Sequence, residues 1–232
     1  MNSSGEATGG LYRLLSLPFI YDCFQSLFKS NDFHRKLVRD WLKLEPGMRI
    51  LDVGCGTGAL APYLTHGVHY LGIDSNPAYI RQAQQRYGSE HVRFLCAKAQ
   101  DLKELVATPF DRITILGVLH HLPDEICQQL MAELRPLLSQ SGLLLTVDVC
   151  YHARQSRLAR WLTSLDRGQH VRWPAGYTSL VQGPFEHLKL LRSHFLWVTR
   201  LVMLASAQSE CLEHIDAQPF DLPLSASGSD LA

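Results

Sequence analysis

The chain has 232 residues, of which 46% are apolar, and its 22 Lys and Arg balance 22 Asp and Glu. That length allows one sizeable hydrophobic core, and the charge balance fits a globular domain while disfavouring a protein held on nucleic acid by bulk positive charge. No stretch approaches the ~20 apolar residues of a membrane-spanning helix, and MNSSGEATGG at the start lacks the basic and apolar regions of a secretory leader.

A cytoplasmic location is therefore expected. Cys23, Cys55, Cys96, Cys127, Cys150 and Cys211 are scattered, with no Cys-x-x-Cys pair, and read as buried, reduced thiols. The adjacent His120 and His121 lack the spacing of a helical ligand pair, so no structural metal is expected.

Residues 1 to 10 are small and polar and are expected to be disordered. Apolar residues recur at helical spacing from Leu14 to Phe28 and from Phe33 to Leu42, predicting two short amphipathic helices, with Asp32 a candidate cap of the second. Glu45-Pro46-Gly47 breaks the chain, and Arg49 to Val53 reads as a strand ending in a glycine turn, with a helix from Ala59 to Leu64 behind it. A second strand, Tyr70 to Ile73, ends at Asp74, and Pro77 starts a helix over Ala78 to Tyr87.

Val92 to Cys96 and Ile113 to Leu116 are the next strands, the latter preceded by Phe110-Asp111. A helix from Glu125 to Leu138 and a strand from Leu143 to Val149 follow. Short apolar strands alternating with helices of about ten residues indicate parallel crossover units covered on both faces, a doubly wound α/β sandwich. Beyond Val149 the pattern gives a helix near Arg154 to Leu165, a turn at Asp166-Arg167-Gly168 and a short helix at Tyr177 to Val181. Leu188 to Ser193 and Trp197 to Ala205 then suit an antiparallel hairpin on the sheet edge. The tail from Ala207 is expected to add little to the core.

The turn ILDVGCGTG, residues 50 to 58, sets glycines at 54, 56 and 58. Residues without a Cβ let the backbone turn sharply and approach a ligand, while the helix behind offers unpaired N–H groups. A phosphate loop of the Walker type would need Gly-Lys-Ser/Thr, whereas this chain continues Gly58-Ala59-Leu60; a dinucleotide turn stays open, since Ala59 occupies a position that sometimes takes Ala. Asp52, two residues before the first glycine, would repel a pyrophosphate and attract an ammonium, directly or through water. Asp74, at the end of the adjacent strand, can accept both hydroxyl hydrogens of a ribose; as a bland alternative it caps the next helix.

At this point the sequence resembles the class I S-adenosylmethionine-dependent methyltransferases. ILDVGCGTG is similar to their first motif, Asp74 in LGIDSNP to their second-strand acid, FDRITILGVLHHLPD to their fourth-strand signature, and RPLLSQSGLLLTVD to the approach to their fifth strand. The resemblance covers about residues 45 to 205, and the chain also resembles a small bacterial subgroup carrying LLSLPFIYDCFQ and DRG-x-x-VR, with no assigned acceptor. It implies a mostly parallel seven-stranded sheet in the order 3-2-1-4-5-7-6, with an N-terminal helical cap over 11–44, the domain itself over 45–206 and a tail over 207–232.

The resemblance also implies S-adenosylmethionine as cofactor. Asp52, Gly54, Cys55 and Gly56 would meet its methionine end, Asp74 its ribose, and Ser75 or Asn76 would border the adenine. Relatives often carry an acid where this chain has Lys98, which has donors and no acceptor; Ala99 would offer its backbone N–H, and Gln100 or Asp101 the acceptor. Gly117 and His121 leave the fourth strand on the methyl side. His121 is the candidate catalytic residue, with cofactor or substrate lining and structural hydrogen bonding as alternatives to a general base, and His120 turns toward the core.

Asp148, Tyr151, His152 and Arg154 after the fifth strand, with Tyr21 from the N-terminal aromatic cluster, are the candidate acceptor-binding residues. That cluster reads either as core or as a lid, with Trp161, Trp173 and Trp197 as further apolar wall. Asp166 to Arg172 reads as an ion-pair turn or as a clamp for an anionic acceptor. The expected acceptor is a small, partly apolar metabolite and the expected assembly a monomer or homodimer; an RNA or protein methyltransferase, and a nonenzymatic cofactor-binding sensor or scaffold, stand as alternatives.

Overall fold

The computed structural model describes residues 31–98, 101, 108–164, 169–195 and 198–215. The expected helix over Leu14 to Phe28, the C-terminal tail beyond 215, and the expected roles of Tyr21, Cys23, Ala99, Gln100, Asp166, Arg167 and Trp197 lie outside them.

Seven strands form one sheet: β1 (Arg49–Val53), β2 (His69–Asp74), β3 (Val92–Cys96), β4 (Phe110–Leu116), β5 (Leu138–Val149), β6 (His187–Phe195) and β7 (Val198–Ser206). Their order is β3-β2-β1-β4-β5-β7-β6, as the resemblance implies. The first five are parallel, and β7 runs antiparallel between β5 and β6. Every residue of β7 is buried, which is what a strand flanked on both edges and covered on both faces requires.

Each face carries its own apolar layer. On one, helices α3 (Asp124–Leu134) and α5 (Pro174–Val181) bury Met131, Leu134, Tyr177 and Leu180 against Ile113, Ile115 and Met203. On the other, α1 (Asn31–Lys36) and α2 (Pro77–Tyr87) cover Ile50, Phe94, Leu145, Val202 and Leu204. The helix α1 continues as a wider π-helical turn over Leu37–Leu42 and stops at Lys43, whose left-handed φ of 46° lets its N–H reach the Val38 carbonyl at 2.9 Å. Phe33, Leu37, Trp41 and Leu42 are at most 1% exposed.

Local chemistry sets the element ends. Asn76 caps α2 by accepting the Ala78 and Tyr79 N–H groups, with Pro77 in the first turn where no N–H is needed. The expected helix over Ala59 to Leu64 is only a 3-10 turn, Ala61–Tyr63: Pro62 has no N–H to give Gly58, whose carbonyl takes the Ala61 N–H instead. The helix expected to reach Leu138 ends at Leu134, because Pro136 turns the chain through a 3-10 turn and Leu138 already pairs with Phe110. The next helix, α4 (Arg157–Ser164), starts later than Arg154, where the Ser156 hydroxyl accepts the Ala159 N–H. Asp32 sits inside the first turn of α1 rather than ahead of it. Of the five described cysteines, Cys55, Cys127 and Cys150 are buried and unpaired, whereas Cys96 is exposed on the edge strand β3.

Candidate functional site

The glycine turn leaves β1 at the carboxyl edge of the sheet, the edge at which doubly wound folds bind ligands. The Gly54 and Cys55 N–H groups both donate to the Ile73 carbonyl, at 2.8 and 3.0 Å, stitching the turn to the end of β2. Gly54 adopts a φ of +74°, and a Cβ there would lie 2.5 Å from Val118 Cγ2, so the residue is glycine for both backbone and space. A Cβ on Gly56, at φ +54°, would meet nothing within 4 Å, which leaves open room above its backbone. The Cys55 side chain turns inward toward Gly72, and burial pushes its thiol well above the ordinary range. Only its main chain remains for a ligand.

Asp74 ties the turn to the next helix. One carboxylate oxygen accepts the Gly56 N–H at 3.0 Å and the other the Asn76 N–H at 2.8 Å. A carboxylate offers about four lone-pair positions, so two remain for the paired hydroxyls of a ribose. The helix cap itself is Asn76, so the bland reading of Asp74 as the cap fails: its carboxylate braces the turn between Gly56 and Asn76.

Asp52 is 3% exposed and belongs to the β1 strand itself. Its two oxygens accept hydrogen bonds from Tyr70 Oη and Thr114 Oγ1, each at 2.7 Å. Burial pushes its pKa up to about 6, outweighing those two hydrogen bonds, and the charge of Asp74 adds in the same direction. In place of the expected open carboxylate, Asp52 is a buttress beneath the glycine turn. Tyr70 and Thr114 escaped the sequence reading, because only the registers Asp52↔Gly72 and Asp52↔Thr114 bring them to its face.

Of the residues expected near an adenine, Ser75 is exposed, and Lys98 is exposed beyond β3. The Lys98 N–H donates to an Asp101 carboxylate oxygen at 3.0 Å, and the Asp101 N–H returns to the Lys98 carbonyl. An acceptor therefore stands next to the lysine that lacks one.

The residues expected on the methyl side gather where β4 and β5 end. Gly117, at φ +70°, donates its N–H to Val147 at 2.7 Å. His120 is buried and His121 exposed, as expected, with ring centroids 4.0 Å apart. One Asp148 oxygen accepts the His120 N–H at 3.2 Å and lies 2.8 Å from His120 Nδ1, while the other is buried with no hydrogen-bond partner. Asp148, 1% exposed, therefore holds His120 and is not an open acceptor contact. Tyr151 and His152 are half-buried and Arg154 exposed; His152 Nδ1 accepts the Arg154 N–H at 3.3 Å.

Arg172 joins these loops. Its guanidinium donates to Asp124 and to the carbonyls of Leu119, Leu122 and His170, its carbonyl accepts the Tyr151 N–H, and the neighbouring His170 N–H reaches the His120 carbonyl. The anion-clamp reading fails for Arg172, since its fork is spent inside the protein. Tyr151 packs on Trp173, which shares a groove with Trp161, the other described tryptophan expected as apolar wall, and with Arg157 and Arg160, which the sequence reading missed. An irregular loop brings these residues together, and no periodicity announces it.

The comparisons agree with this fold. Residues 50–142 match the family model described as a methyltransferase domain. The cyclopropane-fatty-acyl-phospholipid synthase of Escherichia coli K12 is 35% identical over 89 residues, 38% of this chain and 22% of that protein. The ubiquinone biosynthesis O-methyltransferase of Hahella chejuensis is 37% identical over 105 residues, 44% of this chain and 43% of that one. This chain thus spans less than half the length of either relative. The N-methyltransferase NodS of Bradyrhizobium japonicum, solved with S-adenosyl-L-homocysteine, superposes with a TM-score of 0.57 at 20% identity over 76% of this chain and 86% of that one, a likeness of fold.

Proposed function

We propose that this chain is a class I S-adenosylmethionine-dependent methyltransferase that moves a methyl group from that cofactor to an oxygen, nitrogen or carbon atom of a small, partly apolar molecule. The observation that carries the reading is Asp74, fixed to the glycine turn yet with two acceptor positions left, beside open space over Gly56. Asp74 would hold the ribose hydroxyls, the main chain of Gly54 to Gly56 the methionine end, with Asp52 supporting the turn from below, and Asp101 would accept from the adenine amino group. When bound, the cofactor supplies a methyl group activated on a sulfonium.

The protein's own task is then to align the acceptor and exclude water, with a general base needed only if the acceptor must lose a proton. His121, exposed in the 3-10 turn that follows β4, is the residue for that role, and Asp148 positions its neighbour His120. The balanced charge supports a small acceptor over RNA, and among the described residues no helix is long and apolar enough to cross a membrane. The proposal includes a cytoplasmic setting and a monomer or homodimer.

Calorimetry with S-adenosylhomocysteine tests the cofactor half. The expected result is binding by the intact protein that falls about tenfold or more in Asp74→Ala, a loss of about 1.4 kcal/mol or more. Absence of binding by the intact protein would sink the reading. Transfer of labelled methyl from S-adenosylmethionine into a metabolite extract tests turnover, and a protein that binds without producing any labelled product is a sensor rather than an enzyme.

A further inference from the structure

The loop beyond β5 and helix α4 border an open, shallow surface groove of about 480 Å³ lined by Tyr151, Arg157, Arg160, Trp161, Ser164 and Trp173. Both tryptophans leave 46% of their surface exposed, and isolated apolar residues at a surface need no explanation, but two indoles facing one groove do. The Trp173 ring is held between neighbours, with the Arg160 guanidinium carbon 5.5 Å from its centroid and the Tyr151 ring 5.8 Å away at a tilt of 40°.

Among the described residues the charge lining the groove has one sign: two arginines and no acid, with neither Arg157 nor Arg160 in an ion pair. Arg172 nearby, by contrast, is consumed by Asp124 and backbone carbonyls. The groove also adjoins the methyl side. Tyr151 is the second residue past β5, and its N–H bonds to the carbonyl of Arg172, whose guanidinium holds the Leu119 and Leu122 carbonyls on either side of His121.

We propose that this groove holds the non-reacting part of the acceptor, and that the acceptor is an anionic amphiphile: an aromatic or acyl body ending in a carboxylate or phosphate. The apolar body lies on the exposed faces of Trp161 and Trp173, and the anion meets Arg157 and Arg160, whose planar forks suit both groups. A neutral acceptor leaves two guanidinium groups unmatched, and a cationic one is repelled. The inference rests on the methyl-transfer reading for its function, but the binding it describes is measurable without turnover.

Octanoate, octyl phosphate and octan-1-ol, followed by tryptophan fluorescence, are the probes. The two anions are expected to bind about tenfold or more tightly than the alcohol, and the double variant Arg157→Gln/Arg160→Gln to lose that preference while keeping S-adenosylhomocysteine affinity within about twofold. Trp173→Phe should remove most of the fluorescence response. Equal binding of anion and alcohol, or a double variant that still prefers anions, overturns the proposal. Co-sedimentation with phosphatidylglycerol vesicles without binding of the free anions overturns it too, since the patch then reads a lipid surface. Failure of the intact protein to bind S-adenosylhomocysteine while the anions still bind would strike the methyl-transfer reading and leave the anion site standing.

Discussion

Asp52 and Asp74 are two carboxylates at the same sheet edge with opposite circumstances. Asp74 is only partly buried and accepts two backbone N–H groups, whereas Asp52 is sealed under the turn and its pKa is pushed up to about 6 by burial. A carboxyl whose folded pKa is raised favours the folded state while protonated. Its contribution is therefore fully present below the unfolded value near 3.8 and is lost as pH rises through about 6. The Tm of Asp52→Asn relative to the native protein should accordingly rise between pH 5 and pH 7, by roughly 5 °C at most. Parallel melting scans of the two proteins check this, and an unchanged difference would mean that Asp52 reaches water. At Asp74 the conservative exchange is the informative one: Asp74→Asn can keep only part of the acceptor set, so its affinity for S-adenosylhomocysteine should fall between those of the native protein and Asp74→Ala.

Between residues and fold lie the turns that lock elements to one another. Val118, just past β4, fills the space beside Gly54, so Gly54→Ala brings both a left-handed φ and a 2.5 Å approach to a stiff side chain. The expected cost is about 2 kcal/mol or more, read from chemical denaturation, and the turn's ligand affinity should fall with it. Arg172→Ala leaves the carbonyls of Leu119, Leu122 and His170 without a shared donor. Amide exchange should then quicken at 119–124 and 150–152 while β1 and β2 stay protected. Much of this level was legible in advance. Short apolar runs separated by turn residues located all seven strands, and Asn76-Pro77 marked the start of α2. Two of the exceptions were set by prolines: Pro62 and Pro136 reset the hydrogen bonding locally, which helical periodicity of the apolar positions does not register. The partners of Asp52 and the arginines that join Trp161 and Trp173 in the groove were not legible, because strand register and loop path decide them and neither has a sequence period.

For the molecule as a whole, the described part of the N-terminal region belongs to the core. Phe33, Leu37, Trp41 and Leu42 share one buried cluster with Ile50, Leu145 and Leu204, and the Arg112 guanidinium on β4 donates to the Leu42 carbonyl at 2.7 Å. Trp41→Ala should therefore cost about 3–5 kcal/mol, the range of a large core deletion, rather than the small amount expected for a removable cap. Equilibrium unfolding distinguishes the two. The sheet edge, meanwhile, divides into two districts. The family match covers residues 50–142 and stops short of Tyr151, whereas the groove and the arginine that braces it fall between 150 and 173. Because Arg172 closes that stretch back onto the β4 loop, it forms an exchangeable cassette: substitutions within it retune what is recognised while the half that carries the glycine turn goes on unchanged, so a new substrate can be acquired without rebuilding the fold that serves it.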